Sequence, residues 1–142
     1  MSKITDELLN QLSGIDTLPE LMHFTETVEN ADFPLSYSEH LTNLLLASSM
    51  TAGELIRRSG IQRNYGYQIL SGQKNPGRDK VISFCLALHL SFEETQRSLT
   101  IAKESILYPK NKRDSIIIFC LQKKLSVQDT NDLLYEMNEA VL

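Results

Sequence analysis

The sequence predicts an all-α chain of about nine helices. Apolar residues recur at spacings of three and four, the period of a helix with one buried face. Residues that cap helices stand in front of these runs. The last part of the chain also repeats a two-helix pattern found just before it.

Taken in order, residues 4–12 read as a short helix that Gly14 breaks, and Thr17 can cap a second helix over 18–29. Asp32-Phe33-Pro34 reads as a loop. Ser36 with Glu39 makes a capping box for a helix over 37–48, with Tyr37, Leu41, Leu44, Leu45 and Ser48 on one face. Thr51 caps a short helix over 52–58, closed by Ser59-Gly60. The next helix spans 63–70 and stops at Gly72, a residue suited to the left-handed turn that ends helices. Asn75-Pro76-Gly77 is a turn. Asp79 starts a helix to about 89, Ser91 caps another over 92–104 with Glu94 as its box partner, and Tyr108-Pro109 ends that unit.

Residues 79–107 align without gaps on 114–142, at an offset of 35. Phe84-Cys85-Leu86 matches Phe119-Cys120-Leu121, Leu90-Ser91 matches Leu125-Ser126, and Leu99 matches Leu134. The second copy is therefore expected to form helices over 114–124 and 127–140, the latter capped by Ser126. One such unit cannot bury its apolar face alone, so the copies should stack side by side. The expected organisation is an acidic helical arm over 1–35, a domain over 36–108, and a C-terminal hairpin over 109–142 packed on it.

No apolar run approaches the roughly 18 residues of a membrane span. The start of the chain lacks the basic-then-apolar pattern of a secretory signal. Cys85 and Cys120 lie inside apolar runs and read as reduced core residues of a cytoplasmic protein, with a disulfide as the alternative. His23, His40 and His89 have no ligand spacing with each other or with either cysteine, so no metal or other cofactor is expected. No catalytic grouping or phosphate-binding glycine loop is recognisable, and the chain reads as a non-enzyme.

The net charge of −4 hides a strong segregation. Residues 51–113 carry eleven basic and five acidic side chains, whereas residues 1–50 carry one and eight. Positive charge is thus concentrated mid-chain, where a phosphate backbone would need it.

That segment reads TAGELIRRSGIQRNYGYQILSGQKNP over 51–76: two short helices joined by a tight turn, then a basic loop. It resembles the lambda-repressor-like (Xre-type) helix-turn-helix family over about 37–97. The matching features are Thr51 with Glu54-Leu55, the turn Gly60-Ile61, Ile69 with Gly72, the loop Lys74-Asn75-Pro76, and Ser91-Phe92-Glu93-Glu94. The resemblance implies a recognition helix over about 63–70 in a DNA major groove. Arg63, Asn64, Tyr67 and Gln68 would read bases, and Arg57, Arg58, Gln73, Lys74, Arg78 and Lys80 would touch phosphates.

Four positions depart from the family pattern. Ile56 stands where a small residue is usual and Gly66 where a large aliphatic is usual. These positions face each other, so Ile56 is expected to fill the space Gly66 vacates, a volume-conserving swap. A mid-helix glycine still costs about 1 kcal/mol relative to alanine, which loosens the recognition helix. Leu70 replaces a common acidic residue, and Ala52 a glutamine that can contact phosphate.

The sequence thus points to a bacterial or phage DNA-binding regulator acting on double-stranded DNA as a homodimer. The alternative is a non-catalytic adaptor on the same fold, whose acidic N- or C-terminal helices engage a toxin, a kinase or another regulator. Leu8, Leu9, Leu12, Leu18, Leu21 and Met22 form an apolar strip on the arm that would pack on the core or on a second subunit. Leu133-Leu134-Tyr135 would seal the core or face a partner.

Overall fold

The computed structural model describes residues 3–30 and 35–142. Nine α-helices and no strand are present among them: α1 (Lys3–Ser13), α2 (Leu18–Asn30), α3 (Tyr37–Ala47), α4 (Ala52–Ser59), α5 (Arg63–Leu70), α6 (Arg78–Ala87), α7 (Phe92–Ile101), α8 (Lys112–Gln122) and α9 (Val127–Glu136). The chain is all-α. The loop expected at Asp32-Phe33-Pro34 lies outside the described residues. No helix among those described is long and apolar enough to cross a membrane.

The contacts divide the chain into two compact units, 1–35 and 36–142. In the first, Leu8, Ile15 and Phe24 are half-buried, while Leu9, Leu12, Leu18, Leu21 and Met22 stay exposed.

The second unit has one continuous core to which every helix contributes. Leu41, Leu55, Ile69, Phe84, Leu99, Ile117 and Leu134, one each from α3 to α9, are all at 0% exposure. Each such side chain contributes about 1.5–3 kcal/mol by burial. Cys85 and Cys120 are free and buried within this core. Burial pushes the Cys85 thiol up to about 11, against the opposing pull of hydrogen bonds with Ser98 and Thr95.

Side-chain caps set most of the helix starts. Ser36, Thr51, Ser91 and Ser126 each accept a hydrogen bond from the amide three residues on. At Ser91 the Glu94 side chain accepts in return from the Ser91 amide, completing the box. Two caps differ from expectation or were missed. Gln62 Oε1 accepts from the Tyr65 amide and starts α5. Asn111 Oδ1 accepts from the Asp114 amide, so α8 begins at Lys112 rather than at Asp114.

Four helices end earlier than the sequence suggests. His89, Lys103, Lys124 and Asn138 adopt positive φ of 55°, 61°, 56° and 62°, the left-handed turn usually given to glycine. Each is followed by an amide that closes back onto the helix: Leu90 to Cys85, Glu104 to Leu99, Leu125 to Cys120 and Glu139 to Leu134. These stops fall in equivalent places in the two copies, 89 with 124 and 103 with 138.

The copies lie against each other, α6 meeting α8 and α9 and α7 meeting α8. The contact is reciprocal rather than translational. Arg78 pairs with Asp114 through two hydrogen bonds of 3.0 and 2.8 Å. Arg113 pairs with Asp79 through two of 2.9 and 3.1 Å. Arg78 also donates to the carbonyls of Ser105 and Ile106, and Arg113 to those of Ala140 and Val141, again 35 residues on. Lys124 Nζ donates to the carbonyl of its own equivalent, His89, at 2.8 Å. A surface that meets its own copy residue for residue is related by a twofold axis. The side-by-side stack expected from the repeat is therefore an internal twofold pair.

At the α4–α5 contact, a Cβ built on Gly66 would stand 2.7 and 2.8 Å from Ile56 Cγ2 and Cγ1. Ile56 is 2% exposed, so it cannot swing away. Ile56 fills the space beside Gly66, as expected from the sequence. Gly66→Ala is expected to destabilise the chain by about 1–3 kcal/mol, although alanine is the better helix former. In that background Ile56→Ala should cost far less than it does alone. Urea unfolding of the two single variants and the double variant measures this, and strict additivity would exclude the exchange.

His40 is 8% exposed, and its Nε2 shares a 2.8 Å hydrogen bond with Ser98 Oγ, joining α3 to α7. Burial, reinforced by the Arg97 guanidinium and opposed by Glu94, holds its imidazole below the ordinary value of 6.5. As the pH falls, the unfolded chain therefore takes up the proton first. The contribution of His40 to stability is complete above about 6.5 and is lost below it. Denaturation midpoints should fall between pH 7 and pH 5 in the natural chain, and the fall should shrink in His40→Gln.

Candidate nucleic-acid interface

The mid-chain segment folds as two short helices and a tight turn. Thr51 Oγ1 accepts from the Glu54 amide at 3.2 Å to start α4. Gly60, at φ 72°, turns the chain out of α4. Ile61, 6% exposed, pins the turn to the core, and its amide donates to Ser59 Oγ. The far side of the turn rests on α9: a Cβ on Gly60 would stand 3.9 Å from Val127 Cγ1, and Val127 is 6% exposed. The C-terminal hairpin thus lies beside the turn between α4 and α5.

Helix α5 buries Gly66 and Ile69 and turns a polar face outward. Arg63, Asn64 and Tyr67 are exposed there and Gln68 is half-buried. The spacing of one and four residues puts these side chains on one side of the helix. The Arg63 guanidinium lies over the Tyr67 ring, 5.8 Å from its centre. The Tyr67 hydroxyl reaches across to α4, 3.4 Å from where Gly53 would carry a Cβ.

The loop after α5 is held locally. Gly72, at φ 84°, closes the helix, and the Lys74 amide donates to the Gln68 carbonyl at 3.1 Å. The Gln73 amide donates to Ser71 Oγ at 3.4 Å, within the loop. The Lys74 side chain is exposed beside this loop, and Lys80 is half-exposed on the first turn of α6.

One of the expected phosphate ligands is committed elsewhere. Arg78 is a correction. Its Nε, Nη1 and Nη2 are all spent on Asp114 and on two carbonyls, so it fastens the repeat copies together. Its charge is stabilised by the hydrogen bond to Asp114, while burial acts against it. Arg57 and Arg58 end α4 and line a cleft of about 700 Å³ against Ser126, Val127 and Gln128 of α9. Arg58 also forms a 2.6 Å ion pair with Glu54. The structure brings Arg63, Asn64, Tyr67 and Gln68 together on α5, and leaves Arg57 and Arg58 exposed at the end of α4.

Among the described residues, no group of three or more histidine, cysteine or carboxylate side chains is placed to hold a metal ion. Compared with family models, curated proteins and solved structures, the chain matches none.

The roles of Arg78 and Lys74 separate cleanly by stability. Arg78→Ala leaves Asp114, 5% exposed, without its partner and is expected to cost about 3 kcal/mol or more. Lys74→Ala, on the open loop, should stay within about 0.5 kcal/mol. Equal unfolding midpoints for the two variants would refute the assignment of Arg78 as a fastener.

Proposed function

We propose that the chain is a non-catalytic, sequence-specific DNA-binding regulator of bacterial or phage type, with α5 entering the major groove. The single observation that supports this most is the α5 surface. Three hydrogen-bonding side chains, Arg63, Asn64 and Gln68, share with the Tyr67 ring the outer face of a short helix whose inner face is buried. Arginine can pair bidentately with guanine and asparagine with adenine, and Lys74 on the following loop suits a phosphate. The charge segregation of residues 51–113 favours the same partner. One eight-residue helix reads few base pairs. A homodimer on a palindromic site would double the contact.

Selection from a random duplex pool with purified protein tests the proposal. Arg63→Ala is expected to weaken binding to the selected site by about 1–3 kcal/mol and to relax preference at one base pair. Lys74→Ala should weaken all sequences alike and lower the salt slope by about 1. No binding to any duplex at low salt, with a protein recovered instead, would favour the adaptor reading.

A further inference from the structure

We infer that Tyr67 reads no base itself and is the platform that positions Arg63 for a guanine; the inference rests on the DNA-binding reading of α5. Two contacts carry it. The Arg63 guanidinium lies 5.8 Å from the Tyr67 ring centre, within the range of a cation–π contact. The hydroxyl end of the same ring is directed at α4, where Gly53 leaves room for it. A tyrosine serving as a base reader would carry its hydroxyl outward beyond α5. Here the hydroxyl is turned back onto the neighbouring helix, and the ring is 40% exposed. What the ring offers outward is its π-face, and Arg63 occupies it. Arginine otherwise samples many rotamers, and a planar guanidinium must be held in plane to meet both acceptors of guanine. Stacking on an anchored ring supplies that order before DNA arrives, as preorganisation does elsewhere in recognition.

The two roles predict different couplings. If Tyr67 is the platform, Tyr67→Leu should weaken binding to the selected duplex several-fold and relax preference at the same base pair as Arg63→Ala. The double variant should then bind no worse than Arg63→Ala alone. Tyr67→Phe, which keeps the ring, should retain most of the affinity. In the DNA-free protein, the ring should shift the NMR signals of the Arg63 δ-methylene protons upfield, and Tyr67→Leu should remove the shift. Additive losses at two different base pairs, with an intact natural-chain site, would overturn the platform and leave the DNA reading standing. An unchanged Arg63 signal in Tyr67→Leu would also overturn it. Failure of the natural chain to enrich any duplex would overturn the DNA reading and the platform with it.

Discussion

Two guanidiniums hold the larger unit together. Arg78 reaches from the first copy of the repeat to Asp114 in the second, and Arg113 reaches back to Asp79. Each also ties down two carbonyls of the segment that follows its own hairpin, so the exchange fixes the pairing of the copies and the path of the chain after each. Burial alone would raise the Asp114 carboxyl. The Arg78 hydrogen bonds and the Tyr108 amide outweigh it and hold the group below the ordinary carboxylate value. A buried charge pair is weak evidence for net stability, but it is demanding in geometry, and here the geometry decides where α9 lies. Val127 of α9 sits against Gly60, and Gly60 is the turn between α4 and α5. The repeat contact thus places α9 beside the turn of the candidate interface.

The internal twofold also explains how two near-identical hairpins differ in use. The first copy is packed by α3 and α4, and Phe84 on it is fully buried. The equivalent Phe119 is 46% exposed, with Lys123 over its ring at 5.8 Å. Where the first copy buries the small Ser83 and Ser98, the second carries the half-buried Ile118 and Leu133. Small residues suit a surface on which other helices must settle closely. Larger ones, with the Lys123 ammonium over the Phe119 ring, suit a surface on which no other helix of the 36–142 unit settles. One sequence pattern therefore serves as a foundation in the first copy and as a closing face in the second.

Much of this was legible in the residues because short-range rules governed it. Caps at Ser36, Thr51, Ser91 and Ser126 mark helix starts through bonds spanning three residues, and a sequence displays such spacings directly. The exchange of Ile56 with Gly66 was legible because two departures from one pattern compensated in volume. Helix ends were less so. His89, Lys103, Lys124 and Asn138 take the left-handed turn without glycine, and only the offset of 35 between them hints at a shared stop. The internal twofold was hidden for a simpler reason. An alignment that begins at Asp79 and Asp114 omits the arginine before each. Arg78-Asp79 and Arg113-Asp114 match as dipeptides, and a matched pair of opposite charges in two copies is the signal of reciprocal exchange. Without it, Arg78 reads as one more cation for phosphate.

The polar face of α5 depends on what lies beneath it. With no side chain at 66, α5 takes part of its seat from Ile56 of α4. Tyr67 then crosses from the outer edge of α5 to Gly53 on α4. The two contacts run in opposite senses. α4 supplies the bulk at 56 and α5 the gap at 66; at 67 an α5 side chain reaches the surface of α4. A helix of eight residues has too few hydrogen bonds to be stable alone, so α5 is ordered by these contacts and by Ile69 in the core. Gly66 is thereby a packing residue beneath the helix. The side chains that α5 turns outward are held in register with α4 and can shift only if α4 shifts too.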